Sequence, residues 1–369
     1  MADYYSNSIS RRKRRSRKVY SGKMLALFLA DIFVTLFMAV LLFLTITAMV
    51  CQYISPEKSG ALSVVALGAP VIYLLDIVVM FYWIVRWRWY RAVVMMVVVV
   101  VGLFYMPRYY KFEIDRKYDT SYVERRFTKV MTYNVLDGNG EGLAEFIGKH
   151  NPDILCLQEM SVDGENWSAL TERYKSIYKP QVATGGNQIL SKFRIIRSGN
   201  IADLQICDGV WADLKVKDDT IRVVSIHLQP ISFRQEEDTN FVEQYEESRD
   251  SVRDGKLRSM IVRLVDNNRK RATQAEVVAE FLKVSPYKTI VCGDFNDVPL
   301  SYTYNCIADG FDDTFSKMAD GMVNTYKVRY PLLRIDNILV SPSVEVVSYE
   351  VDNEVEYSDH YPVISRVKF

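Results

Sequence analysis

Histidine is scarce in this chain, with three in 369 residues. Any imidazole chemistry must come from His150, His227 or His360. Cysteine is hardly commoner, at five and without C-x-x-C spacing, which indicates neither a zinc site nor a disulfide framework. Cys156 in ILCLQE and Cys292 in IVCGDFN lie inside apolar, strand-like runs and read as small buried hydrophobes. Internal repeats and low-complexity tracts are missing too, so a repeat architecture is excluded. Net charge is nearly absent at +1, but residues 120–369 carry 30 Lys and Arg against 38 Asp and Glu. An acidic domain is a poor electrostatic match for a long polyanion such as DNA.

Long apolar runs are what the first third does have. Residues 24–50 contain one charge, Asp31, and exceed the roughly 20 residues that span a bilayer. Residues 61–85 form a second run interrupted only by Asp76, and residues 92–106 a shorter third, flanked by Trp87, Trp89, Tyr90 and Tyr105 as interfacial anchors. No small-residue cleavage site follows the first run, which speaks against a signal peptide. The expected division is a basic cytoplasmic tail (1–23), a transmembrane region (24–106) with three helices (24–50, 61–85 and 92–106), a linker (107–126) and one large domain of catalytic size (127–369). Basic residues cluster in RRKRRSRK (11–18) and RWRWYR (86–91), whereas CQYISPEKSG between the first two runs is nearly neutral. That pattern places the N-terminus inside and everything after Pro107 across the membrane. Beside a span, RRKRRSRK reads as a topology determinant or an anionic-lipid contact rather than a nucleic-acid site. Asp31 and Asp76, as acids within spans, are functional candidates; facing one another or the basic 86–91 loop is the alternative.

From Phe127 onward strand-like and helix-like stretches alternate. FTKVMTYNV, DILCLQE, TIRVVSIHL, KTIVCGD, RIDNILV and PVISRVKF read as strands, LAEFIGKH and ATQAEVVAEFL as helices, and residues 229–272 as helix plus loop. Asn134, Glu159, His227, Asp294, Asn296, Asp336, Asp359 and His360 all fall at or beside a strand end. Rigid strands carrying chemistry on open loops is a common design of α/β proteins. Each residue also has an ordinary reading: Glu159 as a helix cap, Asp294 in an Asx-turn, Asp336 paired with Arg334, His227 as a core histidine. His150, at a helix end, reads as structural.

Taken in order, TYNVL, LQE, IHL, GDFND, RIDNILVS and SDHYPV resemble the endonuclease/exonuclease/phosphatase superfamily, over about Phe127 to Phe369. The resemblance implies a four-layer α/β sandwich, two mixed β-sheets face to face with outer helices, preceded here by the transmembrane helices. It implies a metal-dependent hydrolase of phosphate esters using Mg²⁺, with Mn²⁺ as the alternative, and Glu159 as principal metal ligand with Asn134 and Asp359 close by. His360, oriented by Asp336, becomes general base or phosphate-contacting cation. Asp294 and Asn296 hold the attacking water and a phosphate oxygen, and His227 assists the leaving group or binds phosphate. Expected substrates are a lipid headgroup, a small phosphoester or nucleic acid; no protein partner is deducible. The expected location is a bacterial inner membrane, multi-pass, with the catalytic domain extracytoplasmic. A nuclease acting there, or a catalytically silent tethered domain, are the competing readings.

Overall fold

A computed structural model of the chain describes residues 22–111, 126–136, 142–182, 186–202, 204, 208–231, 251–327 and 333–369. The basic run 11–18, most of the expected linker and the 232–250 part of the polar segment lie outside the described residues.

The apolar runs form α1 (Gly22–Val50), α2 (Gly60–Leu67), α3 (Ala69–Val85) and α4 (Trp89–Gly102). Among the described residues only α1, continued by a 3₁₀ turn to Tyr53, is long and apolar enough by itself to cross a membrane. The second run is not one helix: it bends by 67° between α2 and α3. Pro70 at the second position of α3 cannot donate into the preceding turn, and α2 packs elsewhere, against residues of the C-terminal part of the chain. The third run gives a 14-residue helix, α4. Met38 and Leu41 of α1, Val79 and Trp83 of α3, and Ala92 and Met95 of α4 share one apolar cluster. Asp31 and Asp76 each bond a different partner. Asp31 takes a two-pronged contact from Arg86, Nε to Oδ1 at 2.8 Å and Nη2 to Oδ2 at 3.0 Å, the basic-loop alternative. Asp76 accepts from Thr45 Oγ1 at 2.6 Å.

The remainder alternates as β1 (Thr128–Asn134), α5 (Leu143–His150), β2 (Ile154–Gln158), α6 (Glu165–Tyr174), β3 (Lys179–Val182), β4 (Gln188–Ser191), β5 (Arg194–Asn200) and β6 (Asp208–Val216). Then follow β7 (Asp219–His227), α7 (Ser251–Lys283), β8 (Lys288–Asp294), α8 (Tyr302–Ala308), β9 (Asp312–Asp313), α9 (Thr314–Met318), β10 (Asp336–Val340), β11 (Glu345–Val351) and β12 (Val363–Lys368). They build two six-stranded sheets, ordered β11-β12-β1-β2-β4-β3 and β5-β6-β7-β8-β10-β9. Each sheet is mixed: β1–β2 and β7–β8 are parallel, their other neighbours antiparallel.

Alternation along the strands assigns the faces. Val130, Ile154, Val223, Ile290, Cys292 and Ile338 meet between the sheets. Met131, Leu155 and Leu157 turn outward onto Phe146, Ile147 and Leu170 of α5 and α6, while Val224, Ile226 and Val291 pack on Ala275, Val278 and Leu282 of α7. The result is the expected four layers. Each fully buried aliphatic side chain contributes on the order of 1.5–3 kcal/mol, so this parity strongly fixes register. Cys156 and Cys292 are both fully buried in the inter-sheet layer, as small hydrophobes should be.

Candidate active site

Following the inner face along each strand, side chains change from apolar to polar or ionisable toward one rim. In β1 the sequence is Val130, Thr132, Asn134; in β2 it is Ile154, Cys156, Gln158; in β7 it is Val223, Ser225, His227; in β8 it is Ile290, Cys292, Asp294. Strand β10 runs the other way, and its register pairs Asp336 with Asp294. Parallel pairs put strand C-termini at one edge and the antiparallel partner adds its N-terminus there. Hence five strands deliver to one rim.

At that rim Asn134 Nδ2 donates to Glu159 Oε1 at 2.9 Å and to Asp294 Oδ2 at 3.1 Å, joining the two sheets. His227 Nε2 lies 3.4 Å from Glu159 Oε1 and 3.9 Å from Asp294 Oδ2. His360 Nε2 lies 3.6 Å from Asp294 Oδ2, and its Nδ1 is 2.9 Å from Asp336 Oδ2. Asn296 N and Nδ2 donate to the two Asp294 carboxylate oxygens at 2.8 and 3.2 Å. Asp294 therefore does make an Asx-turn, while also facing both histidines. Asp336 pairs with His360; Arg334 takes Asp313 instead, at 2.8 Å. Asp359 joins through its neighbour: Ser358 Oγ, 3.5 Å from Asp359 Oδ1, donates to Asn134 O at 2.7 Å. Thus the eight sequence-predicted residues are brought to one rim, with Asp359 at its edge. His150 stands apart at the end of α5, 2.9 Å from Asp352, and burial lowers its pKa despite that carboxylate. It is structural through this contact rather than as a cation on the helix end.

Local backbone geometry explains the glycines. Gly293 has φ 140°, and a Cβ there would sit 1.9 Å from Ile226 O, so no other residue can precede Asp294 in this register. Glu159 (φ 53°) and Asn296 (φ 51°) occupy the left-handed region. Asn tolerates it, but Glu does so at a cost, and such strain concentrates where a side chain must be aimed.

Electrostatically the cluster is strained toward negative charge. Burial, then the Asp336 carboxylate, raise the pKa of Asp294. Burial works to lower that of His360, but Asp336 and Asp294 outweigh it and push it up to about 10. His360 is accordingly an imidazolium at neutral pH. Among the described residues, Asp336 Oδ1 and His227 Nε2 are buried without a hydrogen-bond partner, and ligand atoms of Asp294, Asp336 and His360 lie within 4.8 Å of one another. Three carboxylates and an amide around unsatisfied buried atoms fit a hard divalent cation, which favours oxygen ligands. Asn134 presents Nδ2 inward and its Oδ1 accepts from Leu136 N at 3.2 Å, so ligation through oxygen requires the amide to turn.

Several supporting residues escaped the strand-end pattern. Gln158 Nε2 donates to Ser225 Oγ at 3.0 Å, Ser225 Oγ to Asn187 Oδ1 at 3.3 Å, and Thr132 Oγ1 to Gln158 Oε1 at 3.2 Å, a fully buried polar floor. Thr132 and Ser225 stand two residues before Asn134 and His227, so period-2 alternation could have found them. Tyr326, whose ring centroid is 4.7 Å from that of His360, carries no such signal.

The family model described as "Endonuclease/Exonuclease/phosphatase family" matches residues 131–360. A second, "Domain of unknown function (DUF8431)", matches residues 30–109. No curated protein matches the chain. Among solved structures it is similar to a humanized D. rerio TDP2 (14% identity, 66% of this chain and 99% of that one, TM-score 0.49). It is also similar to a Bacteroides thetaiotaomicron mannosyl-6-phosphatase (18%, 66% and 100%, 0.48) and to the human Nocturnin catalytic domain (19%, 66% and 94%, 0.47). With the greater part of its length matched from Met131 to His360, the chain belongs to the Endonuclease/Exonuclease/phosphatase family.

Proposed function

We propose that this protein is a membrane-anchored, divalent-metal-dependent hydrolase of phosphate esters. The observation that carries the reading is the meeting of Asn134, Glu159, His227, Asp294, Asp336 and His360 at one rim, where the acids face histidines and amides rather than arginines. Glu159 and Asn134, with Asp359 near, would hold Mg²⁺ or Mn²⁺, which supplies Lewis-acid polarisation of a phosphoryl oxygen when bound. His360 keeps one proton at Nδ1 toward Asp336 and offers the other from Nε2 to phosphate, a role its raised pKa favours over general base. Asp294, more basic than an ordinary aspartate, takes a proton from the attacking water, which Asn296 helps to hold. His227 donates to the leaving oxygen.

Membrane embedding is supported by the N-terminal bundle's surface. Phe28, Phe33, Leu36 and Phe43 of α1, Leu74 and Phe81 of α3, and Val97 of α4 are exposed, and only 17% of the most apolar stretch of α1 is buried. A contiguous apolar surface of this kind suits lipid. The end of α1, the start of α3 and the segment after α4 all touch the sandwich, through Ala48, Ala69 and Leu300 and through Arg108 Nη1 to Pro299 O at 2.9 Å. Arg86, Arg88 and Arg91 lie at the other end. With basic residues inside, the catalytic domain from residue 127 is extracytoplasmic on a bacterial inner membrane, and residues 24–106 form the membrane unit packed against it. A C-terminal alkaline-phosphatase fusion should then be active; an inactive one, beside a bright cytoplasmic fluorescent fusion, overturns this orientation. For the activity, detergent-purified full-length protein with Mg²⁺ is to be assayed on phospholipid vesicles, phosphomonoesters, RNA and DNA. Turnover of any phosphate ester supports the reading, preference among them identifies the substrate class, and inertness toward all of them sinks it.

A further inference from the structure

Helix α7 turns a polar face toward the sandwich where apolar side chains would pack as well. Asn267, Asn268, Arg271 and Gln274 are all buried there. Burying a guanidinium is costly unless it is fully engaged, so what it engages is informative. Arg271 Nη1 donates to Gln229 O at 2.8 Å, and its Nε makes an ion-pair contact with Asp297 Oδ2 at 3.5 Å. Gln229 N also donates to Gln274 Oε1 at 3.0 Å. These are the two loops that hold Asn296, whose Nδ2 donates to Leu228 O at 3.0 Å and whose Oδ1 accepts from Ile231 N at 3.4 Å. Arg271 thus grips both sides of Asn296 from behind.

The grip continues outward. Arg271 Nη2 donates to Asn268 Oδ1, and Asn268 Nδ2 donates to Ser63 Oγ of α2 at 2.6 Å. Ala66 of α2 shares a buried apolar cluster with Leu264 of α7 and with Ile231 and Val298 of the two loops. Contact at the helix start is close enough that a Cβ on Gly60 would lie 2.4 Å from Val265 Cγ1. This docking is also why the second apolar run bends instead of continuing as one span.

We propose that Arg271 and Asn268 are positioning residues of the active site, and that α2, by docking on α7, sets the loops that hold Asn296. The N-terminal helices would then complete the active site as well as anchor it, an inference resting on the phosphoesterase reading only where turnover is measured. Coupling of this kind needs an element both regions bear upon, and α7 is that element.

The test uses full-length protein in detergent, with hydrogen–deuterium exchange and with Mg²⁺-dependent hydrolysis of bis(4-nitrophenyl) phosphate. Gly60→Val wedges α2 from α7 at a distance from the rim, and Arg271→Ala releases both loops. Each should raise exchange severalfold in peptides covering 228–231 and 294–300 while β1 and β2 stay protected. Turnover should fall on the order of 10- to 100-fold, with KM changed much less. Should Gly60→Val fail to fold, Ser63→Ala removes only the hydrogen bond to Asn268 and should move both readouts in the same direction by a smaller factor. Unchanged loop exchange, or exchange that rises equally across every strand, overturns the proposal. If the wild type leaves the probe intact, the exchange arm still decides it and the failure belongs to the assigned activity.

Discussion

Two groups of buried acids within the same sandwich are neutralised in opposite ways. On its flanks Asp213 and Asp313 are each gripped by an arginine. Arg222 Nε and Nη2 reach the two oxygens of Asp213 at 2.8 and 3.0 Å, and Arg334 reaches Asp313 at 2.8 Å while its guanidinium lies 4.5 Å from the ring of Phe315. At the rim Asp294 and Asp336 share His360 instead, and two asparagines donate to Asp294. An arginine cannot release its proton and fills the carboxylate's bonding sites, so the flank pairs are closed units. Histidines and amides leave charge, lone pairs and protons to be exchanged with something else. Buried acids held that way mark chemistry, whereas arginine-paired ones mark architecture.

The largest effect should come from breaking a closed unit. Asp313→Asn leaves Arg334 buried and uncompensated, and denaturant unfolding should show a loss of about 3–5 kcal/mol, with turnover per folded molecule retained. Next in size, His360→Ala should lower turnover on the order of 10²-fold without rescue by excess metal. Adding Asp336→Asn to it should cost nothing more if the two act as one unit; multiplicative losses would separate them. Asp294→Asn inverts the flank result. Folding raises the pKa of Asp294, so its ionised form opposes folding, and removing the charge should leave the unfolding midpoint level or higher while activity collapses. A destabilised Asp294→Asn protein would erase the contrast. The smallest expected change is none: NMR signals of the His360 ring in metal-free protein should not titrate between pH 6 and 8. With a pKa raised from 6.5 to about 10, the stability it contributes is complete below about pH 6.5 and is lost as pH rises through about 10.

How far such a site can be read from sequence depends on whether local or tertiary forces set each residue. Strand parity is local, so Asn134, Glu159, His227, Asp294 and Asp336 were legible as strand-end groups, whereas the two-sheet sandwich followed only from the resemblance of the ordered motifs to a known family. Helix α7 was not. Its buried face between residues 267 and 274 carries Asn, Arg and Gln, which have the signature of a solvated surface, because they bind loops rather than an apolar core. The bend at Gly68 was equally hidden, since residues 61–85 carry no charge but Asp76, and the Asn268 hydrogen bond and Val265 contact that draw α2 aside are distant in sequence. Tyr326 reaches His360 through a bridge between two segments far apart in sequence, which no spacing announces.

Metal-dependent turnover is decided by hydrolysis of bis(4-nitrophenyl) phosphate by full-length wild type and by Glu159→Gln, before and after EDTA and on return of Mg²⁺. EDTA should abolish wild-type turnover and Mg²⁺ restore it, while Glu159→Gln should be nearly silent at the same Mg²⁺ and partly recover at higher concentration, because the amide still offers one oxygen. Turnover that survives EDTA, or a Glu159→Gln protein as active as wild type at every Mg²⁺ concentration, would contradict that metal dependence.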